Sequence, residues 1–217
     1  MRGTNSLSPL LRKVALAVPF NPRECLMRSL GKSIKTASIV LDATCGHGGN
    51  AITTKYRNKN VRIIGFDIFR PYVYECKSIR VYDELLVADV RHPPFRNKSV
   101  DVVYFTETIE HLKKEDGYKA LKELERIARK AVLVTTPIGF HPRVKEEIKD
   151  GNVYQLHRSG WFPSEFRALG YEVWGRYPRF LRKLLIILNL PIFSFLNLAH
   201  LPCEKSTNIV ALKIFHE

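Results

Sequence analysis

Cysteine is scarce in this chain, and what there is follows no metal-binding spacing. The four residues Cys25, Cys45, Cys76 and Cys203 form no C-x-x-C pair. That argues against a cysteine-built zinc site and against a disulfide framework, and it suits a reducing compartment; no metal is expected. Long apolar runs are also few. Val14–Val18 is only five residues long and is stopped by Pro19, short of the ~7–15-residue core of a secretory leader. The longest apolar stretch, Leu184 to Ala199, holds sixteen residues. As a helix it would reach roughly 24 Å against a ~30 Å bilayer core, and Pro191 would kink it. A transmembrane span is not expected. Internal repeats and low-complexity tracts are missing too, which excludes solenoid and linker-like organisation.

Acidic residues are in deficit: 35 Lys and Arg stand against 21 Asp and Glu, a net charge of +14 in 217 residues. The excess sits mainly at the two ends. Residues 1–40 carry seven basic residues against one Glu, and residues 176–217 carry six against two. Such flanks suit nucleic acid, an anionic membrane surface or an acidic partner. Hydrophobic content of 45% and charged content of 26% are ordinary for a globular domain of this length.

From Ile39 onward strand-like and helix-like segments alternate, the pattern of an α/β sheet with crossover helices. Five short β-rich runs read as buried parallel strands: 38–44, 61–68, 84–90, 100–107 and 131–137. The clearest helix is expected over Lys114–Lys130, where Tyr118, Leu121, Leu124 and Ile127 form one apolar stripe. Glu125 precedes Arg129 by four residues, the favourable order for a pair on a helix face. Two later runs, 170–177 and 206–215, read as strands, the second as an antiparallel edge. The expected fold class is α/β, a Rossmann-like, seven-stranded, mostly parallel sheet with helices on both faces and the last strand antiparallel.

The stretch "VLDATCGHGGNA" (Val40 to Ala51) places Asp42 at the end of the first strand and a glycine-rich turn after it. Gly46 and Gly48 permit backbone conformations closed to other residues and let a ligand approach the main chain. A helix N-terminus following the turn suits an anionic group. Asp67 ends the second strand, where a carboxylate can accept both hydroxyls of a ribose. NAD and S-adenosyl-L-methionine would use both features alike, so these residues speak for the fold and leave the ligand open.

The segment that follows, "LLVADVRHPPFRNKSVDVVYFTETIEHL" (85–112), resembles the middle of S-adenosylmethionine-dependent class I methyltransferases of the type-11 kind. The matching pieces, in order, are Asp89 with Val90, Pro94-Phe95, Ser99-x-Asp101-x-Val103 and Glu110-His111-Leu112. The resemblance covers roughly residues 36 to 177. It implies S-adenosyl-L-methionine as cofactor, held by Asp42, Thr44, Gly46, Gly48, Asp67, Ile68, Asp89, Val90 and Thr106. Thr44 stands where that family's D-x-G-x-G-x-G loop has its first glycine. "HPPF" (92–95) looks like an amine-binding motif, but that motif must follow the fourth strand; here it precedes it and reads as a turn.

Methyl transfer from a sulfonium is an in-line displacement whose hard chemistry the cofactor brings, so placement matters more than a dedicated catalytic group. A hydroxyl acceptor would use a general base. His157, within "DGNVYQLHRSGWFPSEF" (150–166), and His111 are the candidates, while His47 reads as a cofactor neighbour. Asn152, Tyr154 and Trp161 accompany His157 in a polar-aromatic loop expected over the substrate. The organisation expected is an N-terminal helical cap (1–35), the methyltransferase domain (36–217) and, within it, an apolar insertion (180–203). The leading acceptor is a small or lipid-like molecule, with peripheral membrane contact through 182–199 and a cytoplasmic or membrane-associated location. RNA is the second candidate, motivated by the charge, and a non-catalytic scaffold that only binds the cofactor is a third reading. Oligomeric state is left open.

Overall fold

Strand residues of alternate parity supply two separate apolar layers, which is why helices cover both faces of one sheet. In the computed structural model, which describes residues 35–143, 148, 151–178, 203 and 206–215, the elements run β1 (Ile39–Ala43), α1 (Gly49–Arg57), β2 (Arg62–Asp67), α2 (Arg70–Ile79), β3 (Glu84–Val87), β4 (Val100–Thr106), α3 (Lys114–Ile127), β5 (Ala128–Pro137), α4 (Pro163–Ala168), β6 (Glu172–Pro178) and β7 (Ser206–Ile214). The seven strands lie in the order β3-β2-β1-β4-β5-β7-β6. Leu41, Phe66, Val103, Phe105 and Val134 join Leu121 and Leu124 of α3 and Phe166 of α4 in one layer. Val40, Ile63, Val102, Tyr104 and Leu133 meet Ala51 of α1 in the other. The N-terminal cap (1–35) and the apolar insertion (180–203) expected from the sequence lie, apart from Lys35 and Cys203, outside the described residues. Among the described residues no helix is long and apolar enough to cross a membrane.

Three expectations are corrected. β7 is antiparallel, as expected, but it lies inside the sheet between β5 and β6, and β6 forms the edge. Its central residues, Ile209 to Leu212, are buried on both faces, which an interior position requires. The long helix ends at Ile127 rather than Lys130: Ala128 turns extended and opens β5 at once. Arg129 therefore stands on a strand beside Asp101 (3.3 Å), and Glu125 pairs with Lys213 (2.8 Å) in place of Arg129.

Trp161, expected over the substrate, is instead fully buried and packs against Tyr118 and Phe166, with the Lys114 ammonium over its ring at 3.7 Å from the centroid. Its ring lies on Gly117 of α3, where an added Cβ would come within 2.4 Å of Trp161 Cζ2. A Gly-to-Ala change inside a helix ordinarily stabilises by roughly 0.5–1 kcal/mol. Here overpacking opposes that gain, at about 1–3 kcal/mol. Gly117→Ala is expected to lower the urea midpoint with the slope of the transition unchanged; a raised midpoint would show that the indole has room to move.

Candidate functional site

The parallel strands β1 to β5 all end at one rim of the sheet, and the sequence-predicted residues gather there. Asp42 is completely buried at the end of β1. Its oxygens accept from the Asn50 amide (Oδ1, 3.0 Å) and the Tyr82 hydroxyl (Oδ2, 2.7 Å), and the Asn50 amide also donates to Thr106 Oγ1 (2.9 Å). Asp42 thus fastens the loop to α1, β4 and the approach to β3, and its carboxylate is engaged within the protein. Burial, reinforced by the Asp42 charge, pushes the Tyr82 phenol up, so it stays a donor.

The loop after β1 turns through Thr44 (φ 64°), Gly46 (φ 50°) and Gly48 (φ 75°). A β-branched residue in the left-handed region is strained. Thr44 is fixed there by its hydroxyl, which contacts Ala43 O and lies 2.7 Å from Thr108 Oγ1. A Cβ added at Gly48 would meet Ile79 and Cys76, so that glycine serves packing. At Gly46 it would meet nothing within 4 Å. Gly46 is therefore the place where the main chain stands open to a ligand.

Asp67 sits beside it at the end of β2. It accepts from Gly46 N–H (Oδ2, 3.0 Å) and Phe69 N–H (Oδ1, 2.9 Å), while burial pushes its carboxyl up against these bonds. Ile68, the next residue, is half-buried. Asp89, after β3, is partly exposed; burial pushes its carboxyl up, but the Arg91 guanidinium, with two nitrogens 2.6–3.0 Å from its oxygens, wins and holds it below the usual range. Val90 turns into the core. The segment 92–95 is a turn, opened by His92 N–H donating to Asp89 O. His47 points away, onto Glu75 (2.9 Å) and the Tyr72 ring.

A second group lies at the ends of β4 and β5. Residues Ile109–His111 form a 3-10 turn after β4. Glu110 O accepts from both Arg158 N–H (2.7 Å) and Ser159 N–H (3.1 Å), and Trp161 Nε1 donates to Ile109 O and Ser159 Oγ. These bonds hold the 157–161 loop over the turn and bring His157 against His111, ring centroids 4.9 Å apart and nearly perpendicular. Glu110, His111 and His157 each offer a ligand atom within 4.8 Å of the others. Burial, with His157 next to it, pushes the His111 imidazole down to about 4; burial also lowers His157. Neutral imidazole is the form that accepts a proton or ligates a metal. Burial, aided by the neighbouring Glu107 charge, pushes Glu110 up to about 8.

Sequence reasoning thus named both histidines but missed Asn50, Thr108, Glu107 and Glu110 as site residues. Asn50 directly follows the glycine pair, and Glu107, Thr108 and Glu110 lie within "TETIEHL" (106–112), so spacing held the signal in each case. Asn152 proves buried and caps the turn Val153–Gln155 through Tyr154 N–H. Tyr154, by contrast, is exposed.

Residues 41–134 match the family model described as "Methyltransferase domain". Over 109 residues, 48% of this chain, the sequence is 33% identical to the tRNA (carboxymethyluridine(34)-5-O)-methyltransferase of Arabidopsis thaliana, a quarter (25%) of whose length is matched. Over 136 residues, 62% of the chain, it is 25% identical to an uncharacterized protein of Methanocaldococcus jannaschii, of which 55% is matched. The fold is shared with a SAM dependent methyltransferase from Archaeoglobus fulgidus, at TM-score 0.59 and 14% identity, over 88% of this chain and 92% of that one. Residues 41–134 thus match a methyltransferase-domain model, and the chain shares the fold of an S-adenosylmethionine-dependent methyltransferase.

Proposed function

We propose that the chain transfers the methyl group of S-adenosylmethionine to an oxygen of an RNA. The open backbone at Gly46, beside the Asp67 carboxylate, supports the cofactor reading. The methionine carboxylate would lie on the amides at the start of α1 and the ribose hydroxyls on Asp67. In the transfer, the acceptor hydroxyl oxygen would form a bond to the methyl carbon as the sulfur–carbon bond breaks, its proton would pass to a neighbouring base or water, and S-adenosylhomocysteine would leave. The protein contributes placement and exclusion of water.

The observation that carries the acceptor is the rim beyond β4 and β5. Phe140, Tyr154 and Phe162 are exposed there, among Lys113, Arg143 and Arg158. Bases stack on exposed aromatics and phosphates pair with such cations, the combination that single-stranded RNA uses. The +14 charge and the likeness to a tRNA methyltransferase support the same reading. The small or lipid-like acceptor, ranked first from sequence, rests on 184–199, outside the described residues.

Calorimetric titration with S-adenosylmethionine, S-adenosylhomocysteine and NAD is expected to give binding of the first two alone. Gly46→Ala should weaken that binding at least tenfold, because its Cβ enters the open space, while left-handed strain costs stability only roughly 1–2 kcal/mol. NAD binding alone would return the glycine loop to the dehydrogenases. With labelled methyl, tRNA should accept label, and its binding should fall steeply with salt. Label passing to lipid extracts but not to RNA would restore the lipid-like acceptor, and cofactor binding without transfer to either would favour the scaffold.

A further inference from the structure

We infer that Glu110, His111 and His157 form a binding site for a first-row divalent cation, such as Mn²⁺, Co²⁺ or Zn²⁺, at the acceptor end of the methyl-transfer pocket. Two imidazoles and one carboxylate suit such ions, whereas Mg²⁺ and Ca²⁺ favour oxygen ligands throughout. The ligand atoms of the three residues lie within 4.8 Å of one another. In a tetrahedral set at ~2.0–2.2 Å neighbouring ligand atoms stand roughly 3.3–3.6 Å apart, so side-chain rotations of about an ångström close the set.

Both rings are held as ligating histidines usually are. His157 Nδ1 lies 2.6 Å from His141 O, and His111 Nδ1 lies 3.4 Å from Leu156 O. With Nδ1–H donated to a carbonyl, Nε2 of His157 keeps its lone pair for a metal; the His111 ring also bonds the Glu107 backbone, a contact that metal ligation would replace. Glu110 is 3% exposed, and its carboxylate accepts from Thr136 Oγ1 (Oε2, 2.9 Å) and from its own backbone N–H, both neutral donors.

The charge of the pocket points the same way. Glu107 approaches the cluster on a left-handed backbone (φ 50°), with Oε1 accepting from Thr135 Oγ1 at 2.8 Å. Glu107 is exposed, yet its charge repels the buried Glu110 carboxylate, which has also lost its hydration. A divalent cation removes both costs. Backbone strain in a non-glycine residue at such a position is the kind that binding sites retain.

Three protein ligands leave coordination positions open. An acceptor oxygen bound there would be oriented toward the cofactor methyl and made more acidic by the ion. This role rests on the methyltransferase reading; binding of the cation does not.

The test uses full-length protein without an affinity tag, stripped with a chelator and titrated with Co²⁺, Mn²⁺ and Zn²⁺. One equivalent is expected to bind, with the visible absorption of Co²⁺ reporting nitrogen ligation. His157→Ala and His111→Asn should each weaken binding by more than the roughly 10–100-fold that loss of an outer-shell partner costs. His92→Ala, on the turn after β3, should not change it. The absence of stoichiometric binding in the unaltered protein, or binding equal in the His157 and His111 variants, would overturn the proposal. S-adenosylmethionine affinity is measured on the same metal-free samples. Its loss there would sink the methyltransferase reading while the cation titration still decides this one.

Discussion

One buried carboxylate holds the working end of this molecule together. Asp42 has no access to solvent, so both its oxygens need donors from the protein, and they draw in three neighbours. Asn50 brings the first turn of α1 down onto β1, Tyr82 closes the side toward β3, and the same Asn50 amide reaches Thr106 on β4. With those elements fixed, the loop between Asp42 and Asn50 has little freedom. Thr44 and Gly46 then adopt left-handed backbone, and Gly46 is left facing open space beside Asp67. The open backbone at Gly46 is thus a consequence of satisfying one charge.

A second constraint shapes the acceptor end. The carbonyls of Ile109 and Glu110 at the 3-10 turn would be orphaned without partners. The loop 157–161 supplies the donors, through the amides of Arg158 and Ser159 and the Trp161 indole. Trp161 anchors that loop in the core by displacing any side chain from position 117. Packing deep in the domain therefore decides that two histidines 46 positions apart stand edge to face. A polar site is held in register by an apolar lock.

The two halves of the site read differently from sequence. Asp42, Gly46, Asp67 and Asp89 were legible because each lies at or just past the end of a strand, and in a parallel sheet strand ends share one rim. Their exact duties were less so: Asp42 works inward, on Asn50 and Tyr82, and Gly48 serves the packing of Ile79. The helix stripe Leu121, Leu124 and Ile127 was plain from its period, yet its end was not, since Ala128, Arg129 and Lys130 are good helix formers by propensity and nonetheless pair as strand. Strand pairing alone settled them.

By itself the sequence determined the fold class, the order of the first five strands and the glycine turn with its flanking acids, because periodicity and glycine act locally along the chain. It did not determine that β7 would enter the sheet between β5 and β6, because strand order depends on which edge buries the apolar residues of both faces. Nor did it determine that Glu110, His111 and His157 would converge. Their meeting depends on backbone hydrogen bonds across the fold and on one tryptophan, interactions that no local pattern encodes.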